Sequence, residues 1–158
     1  MATQSKGADP VNMAFFADLV RCETRLYNQF NDELRAAHGI VTSQYEFLRY
    51  IRDHERARAT DLAAEFVVGV GAVSKAMDRL EARGLVTRLP NPANRRSTIL
   101  ALTDEGRALS DAADTTFQGR LEEILADAAP PERITASASV LALLRSALER
   151  EGLGTPTG

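Results

Sequence analysis

The sequence predicts a mainly α protein with long helices at both ends and, between them, short helices followed by a two-stranded β hairpin. Three observations carry this. Apolar residues recur at steps of three and four at Phe15, Leu19, Cys22, Leu26, Phe30 and Leu34, and again at Leu109, Ala113, Phe117, Leu121 and Leu125. That is the spacing of one helix face. A glycine followed by an apolar residue, the chemistry of a helix stop, occurs at Gly39-Ile40 and at Gly84-Leu85. From Leu85 to Leu102 the texture changes to two short apolar runs around the polar, turn-forming stretch Pro90 to Arg96.

Taken in order, Asp9-Pro10 reads as an N-cap followed by a first-turn proline. The helix it opens runs to His38, about 28 residues or roughly 40 Å. A small domain does not need so long a helix for its own core, so part of its stripe is expected to serve a second subunit. Ser43 to Glu46 fits a capping box ahead of Tyr45, Phe47, Leu48 and Ile51. A third helix begins at Ala59 or Thr60 with Leu62, Ala63 and Phe66 inward. After the turn Val67-Val68-Gly69, a fourth runs from Val70 to Arg83. It places Val73, Met77 and Leu80 on one face and Ser74, Lys75, Asp78, Arg79 and Glu81 on the other. Leu85 to Leu89 and Ser97 to Leu102 form the hairpin. Thr103-Asp104 caps a fifth helix, Pro130-Pro131 breaks it, and a sixth carries Ile134, Leu141, Leu144 and Leu148 to about Arg150. Residues 152–158 read as a frayed tail.

Composition narrows the function. No apolar run approaches the roughly 20 residues of a membrane span, and Met1 to Gly7 lacks the apolar core of a secretory signal. A soluble cytoplasmic protein without a membrane partner is expected. The single cysteine, Cys22, excludes an internal disulfide. Its place on the apolar stripe predicts a buried, inert thiol. Cys22, His38 and His54 are too scattered in sequence for a metal site. No phosphate-binding loop, dinucleotide fingerprint or nucleophile elbow occurs, so neither a cofactor nor enzymatic activity is expected. The net charge of −3 hides an asymmetry. Gly71 to Leu100 holds Lys75, Arg79, Arg83, Arg88, Arg95 and Arg96 against Asp78 and Glu81, a segment of +4 on a remainder of −7. A basic patch on an acidic body is the footprint of a face that meets phosphate.

Two short helices joined by a tight turn and followed by a basic hairpin make a winged helix–turn–helix pattern, whose second helix enters the DNA major groove. Asp61-Leu-Ala-Ala-Glu-Phe66, Gly71-Ala-Val-Ser-Lys-Ala-Met-Asp-Arg-Leu-Glu-Ala-Arg-Gly-Leu-Val86, Asn91-Pro-Ala-Asn-Arg-Arg96 and Leu102-Thr-Asp-Glu-Gly106 resemble the MarR family of bacterial regulators. The resemblance runs without gaps from about Gly39 to Gly106. It implies a homodimer that binds double-stranded DNA as a transcription regulator, usually a repressor and often released by a small aromatic compound. It divides the chain into a helical dimerisation region (1–38 and 104–151) and a DNA-binding region (40–103).

Within that frame Ser74 and Lys75 are placed to read bases and Ala72 to meet a thymine methyl. Gly71 and Arg79 lie on the same helix, and Arg95 and Arg96 at the wing tip. Arg96 aligns with the arginine that the family inserts in the minor groove. The sequence departs from the family at Gly69, a cap without a side chain, and at Asn91 and Asn94, where aspartates are common. The apolar opening of the fourth helix leaves a second reading, a protein-interaction module that kept the fold and lost specific DNA binding. Arg21, Arg25, Tyr27, Tyr45 and Arg49, on the first two helices, are the residue types for an aromatic carboxylate.

Overall fold

The computed structural model describes residues 9–155. Met1 to Gly7, read above as lacking a signal, and the last three residues of the segment read as a tail lie outside them. The chain forms two compact units, one up to Thr42 and one from Ser43 onward.

The first unit is α1 (Pro10–His38). Asp9 caps it by accepting the Val11 N–H at 2.9 Å. Gly39 stops it in the left-handed conformation, φ 66°, with its N–H on the Arg35 carbonyl. Phe30 and Leu34 are buried, whereas Val11, Met13, Phe15, Phe16 and Val20 are exposed. Cys22 is exposed as well, which corrects the expectation of a buried thiol. A lone helix has nothing in its own unit to cover the stripe on which Cys22 sits. Asn31 Oδ1 accepts the Thr42 N–H at 2.9 Å and turns the chain into α2 (Thr42–Asp53). Because α2 already begins at Thr42, Ser43 lies inside it and does not serve as its N-cap.

The second unit continues with α3 (Ala59–Glu65), α4 (Val70–Ala82), β1 (Val86–Pro90), β2 (Thr98–Leu102), α5 (Asp104–Ala128) and α6 (Pro131–Arg150). This is the expected mainly α winged helix–turn–helix. Its core is Tyr45, Leu48, Leu62, Val73, Met77, Leu80 and Val86, all essentially inaccessible to water. Asp61 accepts the Arg58 N–H at 2.9 Å and starts α3. The tight turn to α4 places Val67 at φ 53°, while Val68 donates its N–H to the Ala63 carbonyl. Gly69 enters α4 at φ −66° with no side-chain cap. The strands pair antiparallel, Val86 opposite Leu102 and Pro90 opposite Thr98. The Leu100 N–H reaches back to the Ala57 carbonyl at 2.7 Å and ties the hairpin to the segment before α3.

Thr103 caps α5 by accepting the Gly106 N–H at 3.0 Å. Gly106 packs so closely on the chain that a Cβ there would lie 1.9 Å from the Leu85 carbonyl oxygen. Beyond α6, Gly152 (φ 63°) and the bond from the Leu153 N–H to the Leu148 carbonyl form a helix stop. The segment read as frayed therefore opens with ordered turns, because a left-handed glycine satisfies the last carbonyls of the helix. Val140, Leu141, Leu143 and Leu148 on α6 stay exposed.

Candidate nucleic-acid interface

The residues of α4 divide as its period dictates. Val73, Met77 and Leu80 are fully buried, which turns Gly71, Ala72, Lys75, Asp78 and Arg79 out to solvent and leaves Ser74 half-buried. A Cβ at Gly71 would meet nothing, so the helix opens with a bare, accessible turn. Its last turn is closed by the left-handed Gly84.

The wing is held at both ends. At its base, Asn91 is 8% exposed. Its amide donates to Ser97 Oγ at 2.7 Å, and its carbonyl oxygen accepts the Ala93 N–H at 3.0 Å and, weakly, the Arg56 guanidinium at 3.4 Å. At the tip, Asn94 Oδ1 accepts the Arg96 backbone N–H at 3.0 Å. The two asparagines thus shape the turn through backbone and Ser97 and leave the Arg95 and Arg96 side chains exposed. On the strand, Arg88 points to α4 and pairs with Asp78 at 2.7 Å and with Glu81. Burial works against its charge, but Asp78 and Glu81 together outweigh that and hold the guanidinium charged more firmly than usual.

Lys75, Arg79, Arg95 and Arg96 make no ion pair among the described residues. Two adjoining elements therefore present four cations to solvent while the carboxylates beside them are taken by Arg88. Uncompensated cations on a helix and an adjacent hairpin are what a duplex backbone requires. Sequence reasoning placed these four. Arg88 enters the sequence reading only as one charge of the basic patch and Asn91 only as a departure from the family's aspartate, whereas in the structure Asn91 holds Ser97 and is reached by Arg56. The signal for Arg88 was its alternation with Val86 on the buried side of β1.

The residues proposed for an aromatic ligand fall differently. Tyr45 is 1% exposed. Its hydroxyl donates to Asp114 Oδ1 at 2.5 Å, and its ring stacks on Phe117 at 4.8 Å. Burial first, and then Asp114, push its phenol well above the usual tyrosine range. Arg49 lies 3.8 Å from Asp53 and 3.9 Å from Asp114. These two therefore converge on α5 as structural partners. On α1, Arg21 pairs with Asp18 at 3.6 Å with both side chains largely exposed. Arg25 is exposed, and Tyr27 is half-buried with its carbonyl on the Thr42 hydroxyl. No cluster of His, Cys, Asp and Glu able to hold a metal, and no helix long and apolar enough to cross a membrane, occurs among the described residues.

The family model for the MarR family matches residues 41–98, the span of α2, α3, α4, β1 and the wing turn. The transcriptional regulator FarR of Neisseria gonorrhoeae is 30% identical over 128 residues, 79% of this chain and 84% of its own length. The chain belongs to the MarR family. Among other relatives, the multiple antibiotic resistance protein MarR of Escherichia coli is 32% identical over 55% of this chain. The chain spans 62% of the first curated relative it matches, YdgJ of Bacillus subtilis, and 58% of the second, Escherichia coli MarR. The repressor CouR, solved on a 23-mer DNA duplex, is 26% identical with a TM-score of 0.77, covering 90% of this chain and 99% of its own. The fold alone is matched more tightly by Sco3205 of Streptomyces coelicolor, TM-score 0.85 at 20% identity. For this MarR-family protein the matched segment and the four outward cations coincide, since α4 and the wing tip both lie within it.

Proposed function

We propose that this protein is a sequence-specific DNA-binding transcription regulator of the repressor type, working as a homodimer in the cytoplasm on a pseudo-palindromic operator. The observation that carries the reading is the set Lys75, Arg79, Arg95 and Arg96, exposed on α4 and on the wing, which Arg88 ties together. In this reading α4 lies in the major groove with Ala72, Ser74 and Lys75 toward base edges, Gly71 lets the groove approach, and the wing arginines take backbone and minor groove. The protein acts by binding, with no turnover and no cofactor. Dimerisation is supported by the exposed apolar residues of α1 and α6, among them Phe15, Phe16, Val20, Leu141 and Leu143, which a second copy would cover. Twofold symmetry then sets half-site centres about 34 Å apart.

Release by a small aromatic acid completes the proposal. Its support is the pair Arg21 and Arg25, which with Val20 and Thr24 line a shallow surface depression on α1. A cationic, partly apolar depression suits an aromatic carboxylate.

Selection of duplexes from a random library, followed by footprinting, tests the main reading. An enriched inverted repeat protected over two successive major grooves is the expected result. Salicylate titrated against that complex tests the effector. The exposed Val67 and Val70 favour a protein-interaction module as the second reading. No duplex enriched above a random pool would decide for it.

A further inference from the structure

Arg88 stands apart from the other basic residues of the segment. It lies on β1, two residues after Val86, and so on the same face of the strand. Val86 is 2% exposed, and the Arg88 side chain, 28% exposed, continues from that buried face. There it meets Asp78 at 2.7 Å and Glu81. These are the only two acidic side chains of α4, and at 67% and 40% exposure both reach solvent. Both belong to the helix that carries Lys75 and Arg79. A planar guanidinium with donors on two edges can hold two carboxylates at once, which an ammonium cannot do with fixed geometry.

We propose that Arg88 is a positioning residue for DNA binding, a strut that sets the wing against α4 and cancels the two carboxylates this helix turns outward, and that it makes no phosphate contact itself. The inference rests on the reading of α4 and the wing as the DNA interface. Its chemistry is specific. Without Arg88, Asp78 and Glu81 become uncompensated negative charges beside the incoming phosphates, and the wing loses its tie to the helix. A like charge brought against a phosphate is strongly repulsive in a partly desolvated interface. The importance of Arg88 is therefore conditional on Asp78 and Glu81, whereas that of a direct phosphate contact is not.

A double-mutant cycle on DNA affinity tests this, using the whole chain of residues 1–158 and the selected duplex. The variants are Arg88→Ala, Arg88→Lys, Asp78→Asn with Glu81→Gln, and the combination of Arg88→Ala with both amides, each checked by thermal melt for folding. Arg88→Ala is expected to weaken binding about tenfold or more, and Arg88→Lys to recover little of it. In the background with both acids neutralised, Arg88→Ala should cost less than about threefold, with a salt slope unchanged from that background. An equal loss in both backgrounds, with a slope about one unit shallower, would make Arg88 a phosphate contact and overturn the proposal. Full activity of Arg88→Lys would overturn it too. Should the wild-type protein bind no duplex, the interface reading fails and the strut falls with it. Normal wild-type binding with additive mutations removes the strut alone.

Discussion

The hydroxyl of Tyr45 on α2 lies 2.5 Å from Oδ1 of Asp114 on α5, sixty-nine residues further along the chain. Around it Arg52 reaches Asp111 at 3.1 Å and Asp114 at 3.4 Å, so one buried phenol and one nearly buried guanidinium clamp the two helices. Tyr45→Phe keeps the ring stack on Phe117 and deletes the donor. It should lower the unfolding free energy by about 1.5–3 kcal/mol, the range for a hydrogen bond to a charged group. Urea unfolding at neutral pH measures it, and an unchanged midpoint would show that Arg49, Arg52 and Gln118 satisfy Asp114 without the phenol.

Gly106 is fixed by the close approach of Leu85. Gly106→Ala places a Cβ 1.9 Å from a backbone oxygen, which no rotamer change relieves. The start of α5 must move from the strand, at a cost of about 3 kcal/mol or more. A thermal melt within a degree or two of wild type would contradict this packing.

Val67 carries the opposite prediction. It is β-branched, 50% exposed, and held at φ 53°. Asparagine tolerates that conformation better. Val67→Asn should stabilise the protein by about 1 kcal/mol, read as a higher denaturant midpoint with an unchanged slope.

Two carboxylates contribute to the loss of stability in acid. The hydrogen bond from Arg52 lowers the Asp53 carboxyl below its ordinary value, and the hydrogen bond from Arg58 does the same for Asp61. Groups depressed in the folded state contribute stability that is fully present above the unfolded carboxylate range, about pH 4, and is lost as pH falls through their folded values. Urea midpoints should therefore decline below about pH 4. The double variant Asp53→Asn with Asp61→Asn should start lower at neutral pH and decline less steeply. Parallel declines would assign the acid limb to other carboxylates.

Much of this molecule was legible in its sequence because the relevant signals are local. The Asp9-Pro10 start, the left-handed Gly39 and Gly84, the Thr103 cap and the inward triad Val73, Met77 and Leu80 each follow from a few neighbouring residues. What sequence did not reveal depends on residues far apart. Asn91 meets Ser97 and Arg56 only once the hairpin closes against the segment before α3. Tyr45 reads as a possible ligand contact until α5 brings Asp114 to it. Cys22 reads as buried from the stripe it shares with Phe30 and Leu34, yet only the later part of that stripe is covered. Lys75 and Arg79 were legible because helical period turns them away from Val73, Met77 and Leu80, and Arg95 and Arg96 because a polar turn between two strands faces solvent; neither signal depends on distant contacts.

In the proposed function Lys75, Arg79, Arg95 and Arg96 meet a DNA duplex. Fluorescence anisotropy of the selected operator over a salt series, for wild type, Lys75→Ala and Arg96→Ala, tests this most directly. Arg96→Ala is expected to weaken binding on every duplex and to make the salt slope shallower by about one unit per site occupied. Lys75→Ala is expected to cost about 1–3 kcal/mol and to relax preference at one or two base pairs. Salt slopes and affinities of both variants equal to wild type would contradict that function, because the duplex would then be held by some other face.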